Sequence, residues 1–195
     1  MEGIEVVEEK MVRLLEQRQI EESLEQEYKG TLKERVKRYL KVKPHPIIAG
    51  THFAPVSAEI PLLFRDGHYY GCIALTQAVA EALVRFMCER NRFNPDKDFK
   101  KNAEKLYTRK FIKEDLRKAL LKVWENRDDY HHLNPNIEKD RKKLEELALE
   151  KVRILKEIEK EIFDFTIIGG SRKPTNPKYW DINGKFTQGF LKLSP

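Results

Sequence analysis

The feature that most restricts the fold is the stretch from His68 to Arg90, which is apolar around most of a helical circumference. Apolar residues at helical spacing form two stripes along it: Ile73, Ala80, Val84 and Met87, and then Cys72, Leu75, Val79, Leu83 and Phe86. A helix with so little polar surface must be covered by other elements on most of its sides. The stretch therefore predicts the central helix of a bundle.

Helical spacing also dominates the segments on either side of this stretch. From Ile4 to Leu40 apolar residues recur at steps of three and four, with a break expected at Gly30. Residues 99–126 form a further helical region, with a break expected near Thr108. These patterns predict a mostly helical chain.

The last long helix has recognisable start and stop signals. Asn134 followed by Pro135 is typical of an N-cap and a proline at the first helical position. An amphipathic pattern follows, and Gly169 and Gly170 are expected to end it. Beyond it, Asn183 and Gly184 lie between short β-prone runs and predict a hairpin.

The fold class expected from these patterns is all-α, a helical bundle with additions at both ends. Residues 1–42 form an N-terminal helical extension, and residues 43–67, with four prolines, form an ordered but irregular connection. Residues 68–168 form the bundle. Residues 169–195 form a C-terminal arm with a small β-hairpin.

Composition excludes several classes of protein. The acidic N-terminus lacks the basic and then apolar pattern of a secretory signal, and no apolar run reaches the length of a membrane span, so a cytoplasmic protein with no membrane partner is expected. Cys72 and Cys88 lie about 24 Å apart along one helix, which predicts two buried thiols and no disulfide between them. No metal, nucleotide or other cofactor motif is found.

The net charge of +6 is unevenly distributed. Residues 1–30 are acidic, whereas residues 31–43, 97–123 and 171–195 are basic. Three basic segments are able to line a surface that faces phosphates, because lysine and arginine provide affinity for nucleic acid. Solvated helix faces would produce the same pattern, so charge alone leaves both interpretations open.

The candidate site is the sequence WENRDDYHHLNP, residues 124–135. In an unbroken helix Arg127 and His131 would share a face, and His132 would point elsewhere. Pro135 forces a bend between Asp128 and Asn134, so either histidine is able to meet Arg127. The bend is expected at the start of the following helix, whose amide groups favour an anion.

An arginine beside a histidine is suited to RNA cleavage without a metal. A neutral imidazole accepts the proton of a ribose 2′-hydroxyl, and a guanidinium stabilises the phosphate. The leaving 5′-oxygen needs a second acid, which a two-fold dimer is able to supply from its other copy. The structural alternative pairs Arg127 with Asp128, Asp129 or Glu125 and leaves both histidines as helix caps.

The motif NRDDYHHLNP, placed between the apolar helix YYGCIALTQAVAEALVRFM and a long amphipathic helix, resembles the HEPN superfamily of small helical domains. The family pattern is an arginine, a polar residue and a histidine after four to six intervening residues. Arg127, Asp128 and His132 match it with four, whereas His131 follows after three. The resemblance covers residues 68–168.

This resemblance implies a HEPN-type bundle that forms a homodimer and cuts RNA without metal, leaving a 2′,3′-cyclic phosphate. Similar proteins act as toxins with an antitoxin partner, in abortive infection or in RNA processing, and others only bind RNA, nucleotides or proteins. Glu81 and Tyr130 are the candidate supporting residues, Glu81 for the arginine. Asn134 stands where many toxins carry a tyrosine two positions after the histidine, so regulation through that tyrosine is not expected.

Overall fold

The computed structural model describes residues 2–135, 137–183 and 186–192. The chain divides into two compact units, residues 1–37 and residues 38–195. Its helices are α1 (Glu2–Val42), α2 (Ala54–Asp66), α3 (Tyr69–Arg90), α4 (Phe99–Thr108), α5 (Glu114–Trp124), α6 (Arg127–His131) and α7 (Arg141–Ile162). The strands are β1 (Ile47–Ala49), β2 (Phe165–Ile168), β3 (Ser171–Pro174), β4 (Asp181–Asn183) and β5 (Phe186–Leu191).

Helix α3 occupies the centre of the second unit, as its apolar circumference predicts. It packs against α2, α4, α5, α6 and α7. Its buried residues come from both predicted stripes and include Ile73, Ala80, Val84, Met87, Val79 and Leu83. Among the described helices, α3 also passes the length and composition test for a membrane span, contrary to expectation, and 61% of its most apolar window is buried inside the fold.

The proline-rich segment 43–67 differs from the irregular connection expected for it. It contains strand β1 and the 13-residue helix α2. Pro55 lies in the first turn of α2, where no backbone N–H is required, and Pro61 lies inside the helix. The expectation was wrong because burial of Ile60 and Phe64 on this helix outweighs the local cost of Pro61.

Two helix boundaries differ from their sequence signals, and a third agrees. Helix α1 continues through Gly30 without the expected break. Helix α7 starts at Arg141 and not at Pro135, because the Asp140 side chain caps it by accepting a hydrogen bond from the Lys143 backbone N–H at 2.9 Å. The expected break near Thr108 is confirmed, since α4 ends at that residue.

The C-terminal arm is built of strands, in agreement with the predicted hairpin. Gly169 and Gly170 do not end α7; both have positive φ and form the two-residue turn between β2 and β3. Strands β4 and β5 pair in an antiparallel manner with Asn183 opposite Phe186, and Gly184 of the predicted turn lies outside the described residues. Strand β5 also pairs with β1, which gives the sheet order β1-β5-β4.

A buried ion pair links the end of β5 to helices α2 and α7. Lys192, directly after β5, is 5% exposed and its Nζ lies 2.5 Å from both the Glu159 carboxylate of α7 and the Ser57 hydroxyl of α2. The Ser57 hydroxyl also donates to Glu159. The last described strand is therefore held to two helices by charge as well as by apolar packing.

Candidate functional site

The site lies at a sharp corner between α5 and α6. Helix α5 ends at Trp124, Glu125 adopts an extended conformation, and Asn126 takes the left-handed conformation with φ of 59°. Asparagine is among the residues that enter this region most readily. The corner directs Arg127 into the first turn of α6, and a second bend at Leu133, with φ of 51°, follows within the predicted interval.

Arg127 and His132 meet at this corner. The Nη1 of Arg127 lies 3.3 Å from Nε2 of His132 and 3.1 Å from Oδ1 of Asp128. A guanidinium has only donors, so a hydrogen bond at the longer distance requires Nε2 of His132 to carry a lone pair. In such a hydrogen bond Arg127 is the donor and Nε2 of His132 is the acceptor.

The Trp124 ring lies against the guanidinium of Arg127. The guanidinium carbon of Arg127 lies 5.4 Å from the Trp124 ring centroid, and that ring is also stacked on Phe99, with the two centroids 4.1 Å apart. Cation–π contact and stacking restrict the arginine to one side of the corner. The sequence does not predict this role for Trp124, because apolar packing explains an aromatic residue in the helical region 99–126 equally well.

The other histidine has a different environment. His131 lies beside the backbone of Ala74 on α3, and its Nε2 is buried without a hydrogen-bond partner in the described part of the chain. Burial, and then the positive charge of Arg127, lower the pKa of His131 below its usual value. His131 thus helps pack α6 on α3, whereas His132 is exposed beside the arginine.

The remaining candidate residues are placed as follows. Asp128 is largely exposed and forms the ion pair with Arg127 that the structural alternative anticipated. Glu81 pairs with Arg85 on its own helix at 2.9 Å and not with Arg127, the arginine it was expected to support. Tyr130 is buried with its ring centroid 6.3 Å from that of Tyr70, and it anchors α6 without forming part of the exposed site.

Two buried polar side chains, Gln77 of α3 and Lys151 of α7, bind backbone carbonyl groups at this corner. The Gln77 amide donates to the Val123 and Glu125 carbonyls at 3.1 and 3.0 Å, and the Lys151 ammonium donates to the same two carbonyls at 2.8 Å each. These carbonyls close the C-terminal end of α5, where a positive charge is favourable. Both side chains therefore fix the direction in which the chain enters α6.

Lys151 could have been found from the sequence. It occupies a position of the apolar stripe of α7, between Ala148 and Leu155, where a charged residue is costly unless it is paired. Gln77 gives a weaker signal, because its side chain carries no charge. Neither signal identifies backbone carbonyls as the partners.

Burial lowers the pKa of Lys151 from 10.5 to about 8. Between these values the unfolded chain binds the proton more tightly than the folded chain, so this residue makes stability rise with pH. We expect the free energy of unfolding of the parent to increase relative to Lys151→Met as pH rises from about 8 to 10.5. Urea unfolding at several pH values measures the difference, and parallel curves for the two proteins would contradict the shift.

An open cleft of about 530 Å³ adjoins the arginine. It is lined by Lys100, Leu121, Trp124, Glu125, Asn126, Arg127, Asp128 and Asp129. A larger cleft of about 1050 Å³ has a balanced lining of three lysines and three carboxylates and contains no histidine: Lys110, Lys113, Lys160, Glu157, Glu161 and Asp164. The smaller cleft holds two cations, Lys100 and Arg127, against three carboxylates, so neither lining attracts a phosphodiester by its net charge. Arg127 and His132 remain the better candidate site because their side chains meet at the exposed corner.

Two other predictions concern cysteines and metals. Cys72 and Cys88 are free and buried, as expected, and burial raises the pKa of their thiols to about 12 and about 11. Within residues 2–135, 137–183 and 186–192, no group of three or more His, Cys, Asp and Glu side chains is arranged to hold a metal ion.

Comparisons with known proteins give no match from which the roles of these residues could be inferred. No protein-family model, curated protein or solved structure matches the chain.

Proposed function

We propose that the protein is a metal-independent endoribonuclease of the HEPN type. The observation that carries this proposal is the 3.3 Å contact between Nη1 of Arg127 and Nε2 of His132. Such a contact places a base and a phosphate-binding cation on one exposed corner. The sequence motif that resembles the family pattern includes the same two residues.

In the proposed reaction, Nε2 of His132 accepts the proton of a ribose 2′-hydroxyl. The freed 2′-oxygen attacks the adjacent phosphorus, a new P–O bond forms, and the bond to the 5′-oxygen breaks. The products are a 2′,3′-cyclic phosphate and a 5′-hydroxyl, and no oxidant or metal is consumed. His132 suits the role because its Nε2 lies on the exposed corner beside the phosphate-binding Arg127, and an imidazole is the side chain most often used as a general base.

Arg127 stabilises the negative charge that grows on the phosphate during the attack. It pairs with Asp128 in the free protein, and a phosphate has to replace that partner at Nη1. Asp128 is exposed and exchanges for an anion at low cost, since solvent-exposed ion pairs contribute little.

The leaving 5′-oxygen needs a proton from a second acid. Among the described residues that contact Arg127, none is an evident second acid that could donate this proton. The proposed source is the protonated His132 of a second copy, brought near by two-fold symmetry. This step makes the proposed enzyme a homodimer with RNA as its substrate.

The test is cleavage of a defined RNA by the purified protein in the presence of a strong chelator. We expect fragments that end in a 2′,3′-cyclic phosphate, and no cleavage of the same sequence made with 2′-deoxyribose, because that substrate lacks the attacking group. Cleavage of the DNA version, or a strict need for added metal, would refute the mechanism. Salt-sensitive RNA binding without any cleavage would favour the alternative, a non-catalytic binding module.

A further inference from the structure

Helix α1 exposes a large apolar surface. Every side chain from residue 9 to residue 30 is exposed, including many large apolar ones. Those exposed along residues 9–37 are Met11, Val12, Leu14, Leu15, Ile20, Leu24, Tyr28, Leu32 and Val36. Long helices in proteins owe most of their stability to packing of an apolar face, and contiguous exposed apolar patches mark interaction sites.

Most of these residues share one side of the helix. At 3.6 residues per turn, Leu14 and Leu32 are about five full turns apart and point in the same direction. Met11, Leu15 and Val36 lie on the same side of the helix. Each of them is within about 60° of Leu14 and Leu32 or of another of the three. We call the surface of Met11, Leu14, Leu15, Leu32 and Val36 the α1 face.

Two exposed apolar residues in the middle of the helix lie elsewhere. Ile20 and Leu24 project from the opposite side of α1, at about 200° and 240° on a wheel where Val36 stands at 0°. The middle of the α1 face is instead charged, with Arg18 and Glu25 at this level. The face is therefore apolar near each end and charged at its centre.

The charge of α1 is also opposite at its two ends. Residues 1–9 contain four glutamates and no basic residue, whereas residues 29–37 contain three lysines and one arginine against one glutamate. Two copies aligned in parallel would place like charges together. Two copies aligned in opposite directions place the acidic end of one beside the basic end of the other.

We propose that α1 pairs with α1 of a second copy of this chain in an antiparallel helix pair through the α1 face. When Met11 of one copy lies opposite Leu32 of the other, Arg18 comes opposite Glu25, and each contact occurs twice around one two-fold axis. The charged centre then forms ion pairs between copies, which specify register as polar residues do in coiled coils. This pairing does not depend on the nuclease proposal.

Cross-linking distinguishes the two orientations. Met11→Cys and Leu32→Cys are each added to the full chain, whose native Cys72 and Cys88 are buried. In the antiparallel pair the two copies of position 11 stand about 30 Å apart, and so do the two copies of position 32. Neither variant alone should therefore be cross-linked by a short bismaleimide. A mixture of the two variants should yield a cross-linked dimer, because position 11 of one copy lies opposite position 32 of the other. Self-linking by each variant alone would show a parallel pair and overturn the proposal.

Sedimentation of the full chain tests the face itself. Leu14→Asp together with Leu32→Asp should raise the dimer dissociation constant by about 100-fold or more, because four leucines leave the interface. Ile20→Asp with Leu24→Asp is the matched control, since both residues are equally exposed but lie off the face, and it should leave the dimer intact. A parent that is monomeric at all concentrations, or a control that dissociates as readily, would refute the proposal.

Discussion

Replacing His132 with alanine is expected to lower RNA cleavage by about 10²- to 10⁴-fold, the usual contribution of a general base. In the proposed mechanism this substitution removes the group that accepts the 2′-hydroxyl proton and leaves Arg127 beside Asp128. RNA affinity should change little, because the phosphate-binding charge remains. Single-turnover cleavage and a separate binding titration measure the two quantities.

His131→Ala is the matched control for this prediction. His131 is the neighbouring residue of the same type, but its ring is partly buried beside α3, whereas His132 is exposed. We expect His131→Ala to be less stable than the parent but to cleave RNA at the same rate per folded molecule. Thermal unfolding gives the folded fraction by which the measured rate is divided. If His131→Ala abolishes cleavage in folded protein and His132→Ala does not, the assignment of the base is wrong.

Replacing Glu159 with glutamine is expected to lower the free energy of unfolding by about 3–5 kcal/mol. The substitution leaves the buried Lys192 ammonium without its carboxylate, and a buried unpaired charge is among the most destabilising changes in a protein. Lys192→Met should cost a similar amount, since it strands the Glu159 carboxylate. Urea unfolding followed by circular dichroism gives both values.

The double variant Glu159→Gln with Lys192→Met separates pairing from packing. It leaves no buried charge, and a glutamine is still able to hydrogen-bond Ser57, so it should be less destabilised than either single variant. Costs that simply add would show that the two residues contribute independently and that the ion pair is not the source of the effect.

The parts of the fold that were predictable depend on local periodicity. The central position of α3 follows from apolar residues on all its sides, and the break near Thr108 follows from the loss of that pattern. Helix α2 was not predicted because proline penalises a helix locally, whereas the burial that compensates comes from tertiary packing on α3 and α7. Similarly, a glycine pair fits a helix end and a hairpin turn equally well until its strands are known.

The candidate site was only half predictable for the same reason. Local spacing left both histidines possible as partners of Arg127. The family pattern favours His132, and the structure places its Nε2 3.3 Å from Nη1 of Arg127. Gln77 and Lys151 reach the corner from other helices, and no nearby sequence signals their target. Supporting residues of this kind depend on tertiary structure and not on motif.

The pairing of β1 with β5 affects how the chain matures during synthesis. Ile47 pairs with Leu191, so the sheet joins the earliest and latest parts of the second unit to leave the ribosome. Until Lys192 emerges, Ser57 and Glu159 lack the cation between them, and contacts of such long sequence separation form slowly. Completion of this unit is therefore expected only after translation has passed residue 192.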